Sequence, residues 1–252
     1  MSALEGKTAI VTGAGQGVGE GVAIALADEG AAVVCAGRTL AKVERTATTI
    51  GAHGNKAFPF QCDVTSPREM AQCVTFAASI SGTIDILVNN AVVPPLGRLL
   101  ELDEESFETG WRSGPLATFR LMRLCYPYLA DGGGVIINMG TGSALMPNLA
   151  GFGAYAATKE GIRMLTRAAA CEWGRDGIRV NVVLPLAGSP ALASYLDDIP
   201  EGRVSPTHTI PLGRIGHCAE DIGKAVAMLC RPEMHYITGT TIAIDGGQTP
   251  MR

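Results

Sequence analysis

The chain has 252 residues, of which 47% are hydrophobic and 17% charged, and a formal net charge of −4 at pH 7. This composition excludes a disordered chain, and the absence of a Lys/Arg cluster argues against a nucleic-acid partner. The N-terminus lacks a signal-peptide layout, and no apolar run reaches the roughly 18 residues that span a bilayer. We therefore expect a cytoplasmic protein without membrane contact, forming a single domain over residues 1–252.

The seven cysteines are scattered without a Cys-x-x-Cys, and the four histidines show no metal-ligand spacing. We interpret most cysteines as small core residues and expect neither a disulfide framework nor a metal.

Short runs rich in Val, Ile, Leu and Ala alternate with longer helical patterns. Continuous apolar runs predict strands buried on both faces, hence a parallel sheet covered by helices. The predicted fold is α/β, a Rossmann-like three-layer αβα sandwich with seven parallel strands. The predicted strands are residues 8–12, 32–36, 56–61, 84–89, 135–138, 179–183 and 241–244. The predicted helices are residues 18–29, 40–50, 67–81, 104–129, 152–175 and 219–230. Ser66 and Asp103 are start signals, and Gly30, Gly51 and Gly82 are stop signals.

The first predicted strand runs into the glycine-rich stretch 12–19 and then into a helix. Glycines let backbone N–H groups approach a diphosphate at the positive end of a helix. The spacing is Thr-Gly-x-x-x-Gly-x-Gly rather than the usual G-x-G-x-x-G. A tight turn is the alternative, but four glycines exceed what a turn requires. The candidate cofactor residues are Gly13, Gln16, Gly17, Val18 and Gly19.

Arg38 follows the second predicted strand, where a dinucleotide fold usually places an acid on the ribose 2′-hydroxyl. A carboxylate repels a 2′-phosphate, whereas a guanidinium grips it through its fork of donors. Arg38 therefore favours NADP(H) over NAD(H). The alternative is a solvated loop arginine.

Tyr155 and Lys159 lie four residues apart at the start of a predicted helix, a spacing that places them on one face. An ammonium beside a phenol favours the phenolate, so the pair is suited to exchanging a proton with a carbonyl oxygen.

Taken together, these motifs resemble the short-chain dehydrogenase/reductase family in its single-domain form, over nearly the whole chain. The anchors of the resemblance are the residues 12–19, 63–64, 89–91, 155, 159, 179–181 and 244–247. The family implies that Tyr155 is the catalytic acid/base and that Lys159 binds the nicotinamide ribose and depresses the pKa of Tyr155. It implies that Asp63 holds the adenine amino group, and it adds further cofactor positions. These are Val64, Asn89, Ala91 and Pro185.

Two positions depart from the family around the reacting centre. The serine that usually bonds the substrate carbonyl is replaced in the stretch 138–143; Thr141 is at the usual offset, and Ser143 is the other hydroxyl in reach. Gly114 stands where the family has an asparagine in a proton relay. We expect Pro115 to kink this helix and free a backbone carbonyl, and a water to fill the vacated volume; slower proton supply is the alternative.

Further departures near the substrate replace family glycines with Val92 and Leu186, and a family threonine with Pro190. They predict a tighter, more apolar pocket beside a substrate loop at about 186–210. The candidate pocket residues are Val92, Pro94, Leu145, Met146, Phe152, Leu186 and Tyr195, each of which core packing also explains.

The combination predicts an NADP(H)-dependent carbonyl reductase or alcohol dehydrogenase that acts on a small-molecule ketone or secondary alcohol. The alternative is a catalytically impaired nucleotide-binding protein that serves as a sensor or assembly subunit. The resemblance also implies a homotetramer or homodimer, paired through the predicted helices 104–129 and 152–175.

Overall fold

The computed structural model describes residues 2–146, 150–190, 192–193 and 206–250. Their strands form one seven-stranded sheet in the order β3-β2-β1-β4-β5-β6-β7, and every pairing is parallel. The predicted Rossmann-like α/β architecture is confirmed. The strands are β1 (Thr8–Thr12), β2 (Ala32–Gly37), β3 (Ala57–Gln61), β4 (Ile86–Asn89), β5 (Val135–Met139), β6 (Arg179–Pro185) and β7 (Thr241–Ile244).

Helices connect successive strands and cover both faces of the sheet. They are α1 (Gly17–Asp28), α2 (Leu40–Ala52), α3 (Pro67–Ser81), α4 (Glu104–Trp111), α5 (Ala117–Leu129), α6 (Gly153–Trp173) and α7 (Lys224–Cys230). Two π-helical segments, Arg112–Leu116 and Cys218–Gly223, precede α5 and α7.

Neighbouring residues of β1 belong to opposite layers of the core. Ala9 and Val11 pack in the cluster that includes α1 and α7, whereas Ile10 packs in the cluster that includes α3 and α5. The middle strands β1, β4 and β5 are buried throughout. The outer strands β3 and β7 are partly exposed, so the expectation of strands buried on both faces is wrong for the two edges, which have a neighbour on one side only.

The helix start signals are confirmed, but not every stop signal. Ser66 accepts a hydrogen bond from the Glu69 N–H, and Asp103 accepts one from the Ser106 N–H. Gly82 takes a left-handed conformation at the end of α3. The stop predicted at Gly51 is wrong, because α2 runs through this glycine to Ala52.

The sheet changes winding direction at β1, which lies between β2 and β4. In such a sheet the carboxyl ends of the strands open into a crevice at this point. The functional residues predicted from sequence concentrate there. Among the described residues, no helix is long and apolar enough to cross a bilayer.

Candidate active site

A cleft of about 740 Å³ lies at the carboxyl ends of the strands. It extends from the residues after β2 and β3, past the glycine turn that follows β1, to the start of α6. All but one of the predicted cofactor positions line it: Gly13, Gln16, Gly17, Val18, Gly19, Arg38, Asp63, Val64, Ala91, Tyr155, Lys159 and Pro185.

The glycine turn depends on the missing side chains. Gly13 and Gly17 have φ angles of 66° and 61°, which disfavour any residue with a Cβ. A Cβ on Gly19 would lie 2.3 Å from the Gly13 carbonyl oxygen. Backbone at the N-terminus of α1 is thus left open toward the cleft, where a diphosphate finds N–H donors and the positive end of the helix.

Thr12 and Asn90 hold this turn against β4. The Thr12 hydroxyl donates to the Val88 carbonyl at 3.2 Å and accepts from the Asn90 and Ala91 N–H groups at 2.9 and 3.1 Å. The Asn90 amide donates to the Thr12 carbonyl at 2.9 Å. Asn90 lines the cleft.

Asn89, predicted to bind the cofactor, does not line the cleft. Its buried amide instead donates to Asn138 Oδ1 at 2.8 Å, and the Asn138 amide donates to the Thr166 hydroxyl at 2.9 Å. The correction follows from strand geometry, since adjacent side chains point to opposite faces and Asn90 takes the cleft side. Asn89 therefore ties β4 to β5.

The end of the cleft at β2 and β3 carries positive charge. Arg38 is exposed at the rim, and Lys42, which sequence reasoning missed, also lines the cleft. The Lys42 ammonium donates to Gln16 Oε1 at 2.5 Å. The sequence signal for Lys42 was its position on the predicted helix. Lys42 lies on the first turn of α2, four residues after Arg38, and both residues line the cleft.

Asp63 lies at the same end, after β3. Its Oδ1 accepts from both the N–H and the hydroxyl of Thr65 at 2.8 Å, which fixes the carboxylate in place. Thr65 lines the cleft with Asp63 and Val64.

Tyr155 and Lys159 occupy the other end, on the first turns of α6. The Tyr155 side chain is hydrogen-bonded to Thr141, but burial outweighs this bond and raises the pKa of Tyr155 to about 12. Burial lowers the pKa of Lys159 from 10.5 to about 8. The Lys159 ammonium donates to the Met139 carbonyl at 2.6 Å and lies 5.8 Å from the centre of the Tyr155 ring.

These directions correct one expectation. The helical spacing and the resemblance implied that Lys159 depresses the pKa of Tyr155, whereas the pKa of Tyr155 is raised in this structure. The physical reason is desolvation of the phenol, combined with an ammonium that bonds to β5 rather than to the phenol oxygen.

Thr141 and Ser143 both line the cleft. Thr141 bonds to Tyr155, and its Oγ1 also accepts from the Ser143 N–H at 3.2 Å, which shapes the turn that follows β5. Of the two candidate hydroxyls, Thr141 has the contact with the phenol.

The helix carrying Gly114 is irregular at the predicted place. Residues 112–116 form a π-helix that contains Pro115, the residue at which a kink is expected. The Gly114 carbonyl accepts from the Ala117 N–H, so it is not a carbonyl that Pro115 leaves without a donor. A Cβ on Gly114 would meet Val92 at 3.6 Å and both Thr158 and Ile162 at 3.8 Å, all ordinary contact distances. A side chain therefore fits where this chain has none.

Five of the seven candidate pocket residues line the cleft. Val92, Pro94, Met146, Phe152 and Leu186 line the cleft. Leu145 does not line the cleft. In a 3₁₀ turn, residues three apart lie on the same side, and Ser143 and Met146 occupy the side that faces the cleft. Tyr195 and much of the predicted loop 186–210 lie outside the described residues.

Ser189 is a further residue that sequence reasoning missed. It lines the cleft, and its Cβ lies 3.1 Å from the place of a Cβ on Gly17. The sequence offered a signal for Ser189. Where Pro190 replaces a family threonine, the residue one position earlier, Ser189, carries a hydroxyl. Asp245 and Gln248 near the C-terminus also line the cleft.

A family model described as enoyl-(acyl carrier protein) reductase matches residues 13–249. A 12α-hydroxysteroid dehydrogenase from a Clostridium strain is 39% identical, with 98% of each chain covered. A cyclohexanol dehydrogenase from an Acinetobacter strain is 34% identical, covering 96% of this chain and 95% of the relative.

A solved structure of 7α-hydroxysteroid dehydrogenase, complexed with NADH and 7-oxo glycochenodeoxycholic acid, superposes with a TM-score of 0.88. It is 31% identical and covers 97% of this chain and 94% of that one. Sequence and fold agree along almost the full length of these proteins. The chain therefore belongs to the short-chain dehydrogenase/reductase family of NAD(P)-dependent oxidoreductases.

Proposed function

We propose that this enzyme interconverts ring ketones and the corresponding secondary alcohols with NADP(H), using Tyr155 as the acid/base. The observation that carries the proposal is that Tyr155, Thr141 and buried Lys159 line the same cleft, with the Lys159 ammonium 5.8 Å from the centre of the Tyr155 ring. The ring is suggested by the relatives, which are named for hydroxysteroids and cyclohexanol.

The residues present fit a nicotinamide dinucleotide. The glycine turn, which lines the cleft, packs closely because a Cβ on Gly13 would lie 2.7 Å from Asn90 Nδ2 and one on Gly19 2.3 Å from the Gly13 carbonyl oxygen. In this proposal Asp63 holds the adenine, Arg38 and Lys42 hold a 2′-phosphate, and Lys159 binds the nicotinamide ribose. The bound cofactor supplies the hydride that is exchanged with the carbonyl carbon.

The protein's own contribution is to orient the carbonyl and supply the proton. A phenol with a pKa of about 12 is protonated at neutral pH, so Tyr155 is ready to donate to the oxygen of a ketone as it gains negative charge. Thr141 donates to the same oxygen and orients it. In the oxidative direction Tyr155 must first lose its proton, which a high pKa disfavours.

Titration of NADPH and NADH by fluorescence, followed by turnover with a panel of ring and open-chain ketones, tests the proposal. NADPH binding with turnover of ring ketones supports it. Turnover of open-chain ketones alone would contradict the proposal that the substrate is a ring ketone.

Arg38→Ser is expected to reduce kcat/KM for NADPH by about 10- to 100-fold, because a charge-assisted bond to a phosphate is lost. The value for NADH should change by less than about threefold, since NADH has no 2′-phosphate. Arg45→Ser is the matched control, because Arg45 is equally exposed but does not line the cleft. Equal losses with both cofactors would show that Arg38 does not read the 2′-phosphate.

Gly114→Ala tests the proposed water in the gap beside Val92 and Thr158. A methyl group fits there at 3.6 to 3.8 Å from its neighbours, so it displaces water without a clash. We expect kcat to fall several-fold and the solvent isotope effect to rise, because the proton relay is interrupted.

Gly51→Ala is the control, since nothing lies within 4 Å of a Cβ at that helical position. Both variants should gain roughly 1 kcal/mol of helix propensity, so unfolding does not explain a loss of activity. Unchanged kcat and isotope effect in Gly114→Ala would rule out a relay through this gap.

Exposed apolar side chains on the α4–α6 surface support a homodimer or homotetramer. Phe107, Trp111, Phe119 and Met164 are 37 to 59% exposed. Pairing with a second copy would bury them.

A further inference from the structure

Three leucines are exposed in the loop between β4 and α4. Leu96 is 44% exposed, Leu99 73% and Leu100 102%. Single exposed leucines are ordinary on protein surfaces, but neighbouring ones beside a cleft are a feature of ligand-binding grooves.

Two of these leucines lie at the wall of the cleft or next to it. Leu96 lines the cleft itself. Leu99 Cδ2 lies 3.7 Å from the place of a Cβ on Gly153, the residue after cleft-lining Phe152. The Gly97 N–H donates to the Gly151 carbonyl at 2.9 Å and fastens the loop to this opposite wall. Leu96 and Phe152, which line the cleft, and Leu99, which lies beside Gly153, are called the leucine lip below.

None of the lip residues is a candidate cofactor position. The candidate cofactor residues extend from Arg38 to Lys159, so a dinucleotide takes up most of the 740 Å³. In the proposed function a single substrate ring lies against Tyr155. The further rings of a larger ketone would reach toward Leu96 and Leu99, whose exposed side chains offer apolar surface.

We infer that the leucine lip binds the outer rings of polycyclic ketones and makes this enzyme selective for them over single-ring ketones. The inference rests on the proposed function and adds a specificity residue, Leu99, to it. Leu100 follows directly in the chain and is 102% exposed, so it is a matched control.

The test compares the kcat/KM of wild type, Leu99→Ser and Leu100→Ser on cyclohexanone and on androstane-3,17-dione, with NADPH saturating. Wild type should favour the four-ring ketone. Leu99→Ser should lose about tenfold or more on that ketone, since apolar contacts of this size are worth 10- to 200-fold, and stay within about twofold on cyclohexanone. Leu100→Ser should stay within about twofold on both. Leu99 is largely exposed, so the variant should keep the wild-type melting temperature.

The inference would be overturned if Leu99→Ser lost equal kcat/KM on both ketones, or if Leu99→Ser and Leu100→Ser lost equal kcat/KM. A higher wild-type kcat/KM for cyclohexanone would also overturn it. A change of sedimentation coefficient in Leu99→Ser would also overturn it, because the leucines would then contact a second copy.

Calorimetry separates this inference from the proposed function. Androstane-3,17-dione is titrated into the NADPH complexes of Tyr155→Phe and of Tyr155→Phe/Leu99→Ser. Weaker binding to the double variant supports the lip even if wild type turns over no ketone, in which case only the proposed function fails. Absence of binding to the Tyr155→Phe complex overturns the lip.

Discussion

Tyr155→Phe is expected to lower kcat for ketone reduction by about 10³-fold while the Kd for NADPH stays within about threefold of wild type. The substitution removes one hydroxyl, and with it the proton donor, whose positioned transfer is worth about 10² to 10⁴ in rate. The aromatic ring still packs at the start of α6. Absorbance at 340 nm measures turnover, and NADPH fluorescence measures binding.

Tyr236→Phe is the control, because Tyr236 is 95% exposed. The pH dependence has a definite sign. The proton donor is lost as pH rises toward the pKa of Tyr155 near 12, and the Lys159 ammonium is lost above about pH 8, so reduction should decline on the alkaline side. Turnover of Tyr155→Phe at the wild-type rate would refute Tyr155 as the acid.

Lys159→Met is expected to abolish most activity yet stabilise the fold at pH 7. Burial shifts the pKa of Lys159 from 10.5 to about 8, so the folded state carries a charge it disfavours. Below pH 8 both states are charged, and the folded state bears the full desolvation cost. Between pH 8 and 10.5 the unfolded state binds more protons, so wild-type stability rises with pH.

The free energy of unfolding of Lys159→Met should therefore exceed that of wild type by about 1–3 kcal/mol at pH 7, once the lost hydrogen bond to Met139 is deducted. This difference should vanish by about pH 10.5. Denaturant unfolding at several pH values measures it. Lys56→Met, at an exposed position, should show no such trend. A destabilised Lys159→Met at pH 7 would mean that the ammonium contributes to folding, contrary to the direction of its pKa.

The strands of the sheet could be predicted from sequence because buried parallel strands are continuous apolar runs. β1 and β7 have the predicted bounds, and the other strands differ by one or two residues at an end. The π-helix at Arg112–Leu116 could not be read in detail. A proline signals a kink, but the hydrogen-bond shift depends on how Ser113 and Thr109 pair, with Ser113 Oγ donating to the Thr109 carbonyl at 2.7 Å.

The candidate site, like the fold, could be predicted from sequence only in part. Glycine spacing and the Tyr155/Lys159 pair are local patterns, and both could be read from the chain. The choice between Asn89 and Asn90 depends on which strand face meets the cleft, and the Lys159–Met139 bond joins elements far apart in sequence. The pKa of Tyr155 depends on burial by several segments, so its direction could not be derived from spacing.

The most direct test of the central claim is the fate of the hydride. Wild-type enzyme is incubated with a ring ketone and NADPH deuterated at the transferring C4 position, and the alcohol is analysed by mass spectrometry and NMR. We predict deuterium on the carbinol carbon, with Tyr155→Phe forming about 10³-fold less product in the same time. NADPH binding without deuterated alcohol from any ring ketone would contradict the account.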